Sequence, residues 1–189
     1  DSTKVGFYRF DESQVPDFYV QMNQTGIQDA VDVEAYPKAG APNPIADVLV
    51  YNIATAKTTA IDARDGKPFD NTVVGHYVYA VEWTADSAEL LLDRANRRQQ
   101  IIEFAACSPS TGKCRVVVHE EWLTGWLNTD QTVSPTYTPR WLSDRKRFIW
   151  ESERNGWKNY YLYDLTGKLL NPVTSNATFE AGSIVKIDE

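Results

Sequence analysis

Only two histidines, His76 and His119, and two cysteines, Cys107 and Cys114, occur in the 189 residues. A nucleophilic serine hydrolase of the α/β type needs G-x-S-x-G on a sharp strand-to-helix turn, with an Asp and a His downstream. No such pentapeptide is present, and each histidine reads as a satisfied structural or surface group. "HEEWL", starting at His119, opens like the zinc motif H-E-x-x-H, but Leu123 stands where the second ligand belongs. Asp62 in "DARDG" lacks the alternating acidic order of a calcium loop and reads as a solvated turn. No catalytic residue, metal site or cofactor is expected.

Three other groups have chemistry that a ligand could use. Adjacent Glu120 and Glu121 could focus negative potential on an ammonium group, or simply end a strand in water. Arg97 and Arg98 could clamp a carboxylate in bidentate fashion, or form a basic turn. Trp122, Trp126, Trp141, Trp150 and Trp157 could stack on a sugar or peptide, or pack in the core. The sequons at Asn23 and Asn176 are short patterns that carry little alone. Substrate-binding residues stay unassigned.

Cys107 and Cys114 bracket "SPSTGK", a polar turn sequence that puts both thiols near the base of one hairpin. A disulfide forms there if the strands bring the Cα atoms within about 7 Å, and it would imply an oxidising compartment. The alternative is two reduced cysteines on adjacent strands. The spacing is too wide for a C-x-x-C redox or zinc motif.

The elements that must position these residues come from the rest of the chain. Hydrophobic residues make up 42% and charged residues 24%, which describes one globular domain and not a disordered chain. The net charge of -7 argues against gripping nucleic acid or an anionic membrane. No apolar run approaches the roughly 20 residues of a membrane span, and "DSTKVGFYRF" has no signal-peptide pattern. The start without Met reads as a processed product or an excised piece.

A repeat then sets the fold. "VEWTADSAELLLDRANRRQQIIEF" from Val81 aligns with "PRWLSDRKRFIWESERNGWKNYYLY" from Pro139, placing Trp83 on Trp141 and Asp86 on Asp144 (141 − 83 = 58; 144 − 86 = 58). "DSTKVGFYRFDES" fits as a third copy that enters at the turn aspartate and lacks the opening strand. Its Val5 and Phe7 fall where Leu90 and Leu92, or Phe148 and Trp150, fall in the others. Each unit reads as a Trp-bearing strand, a turn at Asp, an apolar strand, and a hairpin, which is the pattern of propeller blades. The prediction is an all-β, partial β-propeller of about three to four four-stranded antiparallel blades. The units lie near 1–75, 76–121 and 135–175 of one domain, 1–189. A two-sheet sandwich gives no reason for Trp and Asp to recur in register.

An insertion at roughly 11–44 exceeds a blade's needs. "VQMNQTGIQDAVDV" from Val20 alternates like an extended hairpin arm, whose exposed edges need a partner. "YPKAGAPNP" from Tyr36, with Pro37, Pro42 and Pro44, is an extended return leg, since proline removes donors and keeps its predecessor out of the helical region.

The order "YRFDESQVPDFYV", "YPKAGAPNP", "VEWTADSAELLLDRANRRQ" and "RFIWESERNGWKNYYLYDLTGKLL" resembles the β-propeller domain of dipeptidyl peptidase IV-like serine peptidases of the prolyl oligopeptidase clan, over nearly the whole chain. The resemblance implies a propeller covering a C-terminal α/β-hydrolase domain, a partner that this chain does not contain. It implies substrates that are peptides with Pro or Ala second from the N-terminus, and a homodimer in which the arm takes part. It also implies a disulfide between Cys107 and Cys114, and a periplasmic or extracellular setting. The family's paired substrate-binding glutamates match a part upstream of Asp1, so Glu120 and Glu121 do not take that role. "TGWLNTDQTVSP" matches a loop that can face the substrate pocket, but Asn128, Thr129 and Asp130 stand where an aromatic and an arginine often occur. The expected function is the non-catalytic gating half of a serine exopeptidase. The alternative is a stand-alone propeller-like module that binds a protein of the cell envelope.

Overall fold

The computed structural model describes residues 3–127 and 139–188. Among the described residues there are thirteen strands and no helix. The first sheet holds β1 (Lys4–Asp11), β4 (Ile45–Asn52) and β5 (Lys57–Ile61) in the order β1-β4-β5. The second holds β6 (Tyr77–Trp83), β7 (Leu90–Ala95), β8 (Ile101–Cys107) and β9 (Cys114–Glu121) in sequence order. The third repeats that pattern with β10 (Arg140–Trp141), β11 (Arg147–Ser152), β12 (Asn159–Asp164) and β13 (Leu169–Pro172). Every pairing is antiparallel.

Side chains alternate across a strand, so a strand buried along its whole length must be covered on both faces. β7, "LLLDRA", is buried at all six positions. Leu90 and Leu92 join Val48, Val50 and Ile61 between the first and second sheets. Leu91 joins Phe104, Phe148, Trp150 and Tyr163 between the second and third. Each of these leucines contributes about 1.5–3 kcal/mol by leaving water. A sheet sandwiched between its sequence neighbours is the packing of consecutive blades, and the chain is an all-β partial β-propeller. Two sheets have four strands, whereas the first has three. β1 occupies the second-strand position of its unit.

The repeat is visible in hydrogen bonds as well as in sequence. Thr84 N donates to Glu89 O and Ser87 N to Thr84 O; Leu142 N donates to Arg147 O and Arg145 N to Leu142 O. All three positions are offset by 58 (142 − 84, 145 − 87 and 147 − 89). Ser87 (φ 57°) and Arg145 (φ 53°) share the left-handed conformation this turn demands. The aspartate organises the turn: Asp144 Oδ1 accepts from the backbone of Lys146 (2.8 Å) and Arg147 (2.9 Å), and Asp86 Oδ1 accepts from Ala88 (3.1 Å).

These donors, led by the backbone N–H of Lys146, hold the Asp144 carboxyl down at about 2. Asp86 is lowered too, chiefly by the Thr84 hydroxyl. The folded state thus binds these protons less readily than the unfolded chain, whose carboxyls titrate near 3.8. The stability they contribute is present above that pH and is lost as pH falls toward 2. Thermal melts between pH 5 and 2.5 are expected to show a shallower acid slope for Asp144→Asn than for the natural chain.

The insertion forms a separate two-stranded sheet, β2 (Asp17–Met22) with β3 (Ala30–Ala35), paired from Asp17↔Ala35 to Met22↔Ala30. The pairing is longer than the alternation from Val20 to Val33 suggests, and it ends beside Pro16, whose nitrogen has no hydrogen to donate. Tyr36 N donates to Pro16 O, the Phe18 and Tyr36 rings stand 5.6 Å apart, and Lys38 Nζ lies 5.0 Å from the Phe18 ring. These contacts fix the base of the arm. Its apolar side chains, Tyr19, Met22, Val31 and Val33, are exposed.

Candidate functional site

β9 and the β11–β12 turn enclose a cavity of about 200 Å³, bordered by Glu120, Glu121, Trp122, Leu127, Glu153 and Arg154. Glu120 is buried at its wall. Its carboxylate accepts from Trp150 Nε1 (3.2 Å), Ser152 Oγ (2.8 Å) and Arg154 Nη2. The Arg154 guanidinium lies 4.2 Å from the Tyr161 ring and donates to Tyr163 Oη at 2.8 Å. Burial disfavours the Arg154 charge, but Glu120 and Tyr163 outweigh that and raise its pKa. Glu120 is therefore a tie between the second and third sheets, neither exposed at a strand end nor half of a twin-carboxylate site. Exposed Glu121 comes no closer than 3.9 Å to His119 Nε2.

The histidines serve structure. His119 Nδ1 lies 3.0 Å from Glu103 Oε1, on a half-exposed ring. His76 is buried, with Nδ1–H donating to Asp70 O (3.1 Å) and Nε2 accepting from Asn43 Nδ2 (3.0 Å). Arg97 donates to Asn71 Oδ1 and Ala41 O, so it clamps the arm's return leg and not a ligand. Arg98 borders a wider cleft with Asp70 and Asn71. Asp62 Oδ1 accepts from Gly66 N at 2.8 Å, a closed turn.

Trp83 packs between the first and second sheets and Trp141 between the second and third, as their shared register requires. Trp150 is fully buried, and Trp122, Trp126 and Trp157 are exposed. Asn23 sits at the arm's tip with φ 58°. Asn176 O accepts from Asn155 and Asn159, anchoring the segment after β13. Cys107 and Cys114 face each other across β8 and β9, and their sulfurs are bonded at 2.05 Å. The turn between them docks on β5, where Asp62 N donates to Gly112 O. Asn128, Thr129 and Asp130 lie outside the described residues.

Two arginine ties, Arg94 and Arg154, escaped sequence reasoning. Arg94 inside the apolar run "LLLDRA" was the available signal, because a charge there must be paired to be buried. Among the described residues, no cluster of three His, Cys, Asp or Glu is arranged to hold a metal ion.

A family model described as the dipeptidyl peptidase IV (DPP IV) N-terminal region matches residues 1–189. The chain belongs to this family. The probable dipeptidyl peptidase 4 of Aspergillus flavus is 29% identical over 201 residues, covering 100% of this chain and 24% of that protein. The probable dipeptidyl-aminopeptidase B of Ajellomyces capsulatus is 27% identical over 147 residues, covering 70% of this chain and 15% of that protein. The chain thus spans a quarter or less of the length of these relatives.

Solved structures agree with the DPP IV assignment. A Bacteroides ovatus protein described as a dipeptidyl aminopeptidase IV superposes with a TM-score of 0.65 at 27% identity, covering 87% of this chain and 22% of that one. Porphyromonas gingivalis dipeptidyl peptidase 4 shares the fold with a TM-score of 0.72 at 23% identity, over 92% of this chain and 23% of that one.

Proposed function

We propose that this chain is the non-catalytic propeller portion of a DPP IV-like serine exopeptidase. It gates and bounds the access of short peptides, with Pro or Ala second from the N-terminus, to an α/β-hydrolase domain elsewhere in the parent protein. The observation that carries this reading is the match of the DPP IV N-terminal region to the whole chain. The packing supports it. Gly6 of β1 faces Leu90 and Trp83 of the second sheet, so by strand alternation Val5 and Phe7 face away. Those two are 49% and 42% exposed, while their repeat counterparts Leu90, Leu92, Phe148 and Trp150 are at 0%. Such an apolar face fits a preceding blade of the same ring, and a closed ring over a protease admits peptides while excluding folded chains.

Two further parts belong to the proposal. Among the described residues the β2–β3 arm has an unpaired edge on each strand, and it carries exposed apolar side chains, which suits a homodimer formed through the arm. The Cys107–Cys114 bond suits a periplasmic or extracellular site.

The purified chain is expected to release no chromophore from an X-Pro anilide, while the parent protein releases it in a manner blocked by a serine-directed inhibitor. Inhibitor-sensitive hydrolysis by the chain alone would overturn the proposal.

A further inference from the structure

The return leg of the arm is held to the second sheet at one buried point. Asn43 Nδ2 donates to His76 Nε2 and to Tyr77 Oη, both at 3.0 Å. His76 Nδ1 must carry its proton, because its other partner is the Asp70 carbonyl oxygen at 3.1 Å. The imidazole is therefore neutral in this arrangement. It stacks on Phe69 (centroids 4.5 Å apart), meets Tyr77 edge-on at 5.0 Å, and is 2% exposed.

We propose that His76 is an acid-sensitive latch: neutral, it pins the return leg at Asn43; protonated, it releases residues 36–44 and frees the arm to swing on the sheets.

The hydrogen bond alone does not make the switch, since turning the Asn43 amide over would present its oxygen to a new Nε2–H. The surroundings do. Burial first, and then the Arg97 and Arg64 guanidinium groups, oppose a charge on His76 and lower its pKa below 6.5. Asp70 and its carbonyl act the other way but do not win. The Asp70 carboxylate is itself engaged by the Thr72 N–H and hydroxyl, and Arg64 is paired with Asp47. Arg97 also holds the leg by donating to Ala41 O, whereas Arg64 donates to Ala46 O in β4, just beyond it. A cation at His76 would thus be opposed by two others. The released state takes up the proton more readily, so the latch holds above about pH 6.5 and loosens as pH falls below it.

Hydrogen exchange of the full chain at pH 7.5 and 5.0, corrected for intrinsic rates, tests this. Peptides spanning residues 36–46 are expected to open more at pH 5.0, by at most roughly 30-fold, while β7 and β8 stay protected. His76→Gln is expected to flatten that response. Asn43→Asp, which sets a carboxylate beside Nε2, is expected to keep the leg protected at pH 5.0. The imidazole resonances of His76 in the natural chain are expected to titrate below pH 6.5, which keeps the test valid if His76→Gln fails to fold. Equal protection at both pH values, an unchanged acid response in either variant, or a midpoint at or above 6.5 would overturn the latch.

Discussion

Replacing Arg94 by methionine is expected to destabilise the chain by about 3–5 kcal/mol, the range for removing one partner of a buried ion pair. The Arg94 side chain is 1% exposed and donates in three directions. It reaches Glu103 Oε2 from Nε (2.8 Å), Ala63 O from Nη1 (3.0 Å), and Asp65 from both Nη atoms (2.9 Å each). Burial works against its charge; Asp65 and Glu103 favour it and prevail, so its pKa is raised. The damage from Arg94→Met comes mainly from what stays behind. Asp65 is half exposed and returns to water, but Glu103 is 12% exposed and would keep a buried charge. A second substitution, Glu103→Met, is therefore expected to recover at least about half of the loss. Urea titrations of the single and double variants check this. A double variant weaker than Arg94→Met would mean that Glu103 is adequately paired by His119 alone.

Trp150→Ala is expected to cost about 3–5 kcal/mol, the usual range for truncating a buried Trp. Trp150 is fully buried between the second and third sheets. Its ring stacks on Phe104 (5.8 Å) and meets Phe148 edge-on (6.3 Å), and its Nε1 donates to buried Glu120. Alanine would open a cavity and also remove a donor from a carboxylate that is almost wholly buried. With total stabilities of roughly 5–15 kcal/mol for a domain, either substitution takes a large share. Trp150→Phe keeps most of the ring volume and is expected to lose clearly less. Trp157→Ala, at 37% exposed, is expected to change stability little.

The fold was legible where a local pattern repeats. The offset of 58 between Trp83 and Trp141 survives as identical turn hydrogen bonds, because a tight turn is specified by neighbouring residues. The arm was legible because prolines and edge alternation are local signals too. The cysteine hairpin left two readings open in composition and spacing alone, and only the cross-strand pairing of Cys107 with Cys114 distinguishes them.

What escaped was long-range pairing. Glu120 looks like an exposed strand-end glutamate until Arg154, 34 residues away, closes on it. Asn43 reads as part of an extended, exposed return leg until His76, 33 residues on, accepts from it. The spacing of such pairs in sequence is arbitrary, so no periodicity announces them. Arg94 escaped as well, although its charge inside the apolar run "LLLDRA" was a local signal that a buried partner must exist.

The most direct test of gating uses the parent protein and one N-terminal X-Pro sequence presented in two ways. Cleavage is measured on a short peptide and on the same sequence at the N-terminus of a stably folded protein, before and after that protein is unfolded. The account predicts that the peptide and the unfolded chain are cleaved while the folded one is spared. Equal rates on all three would show that the propeller does not bound access to the hydrolase, and would contradict it.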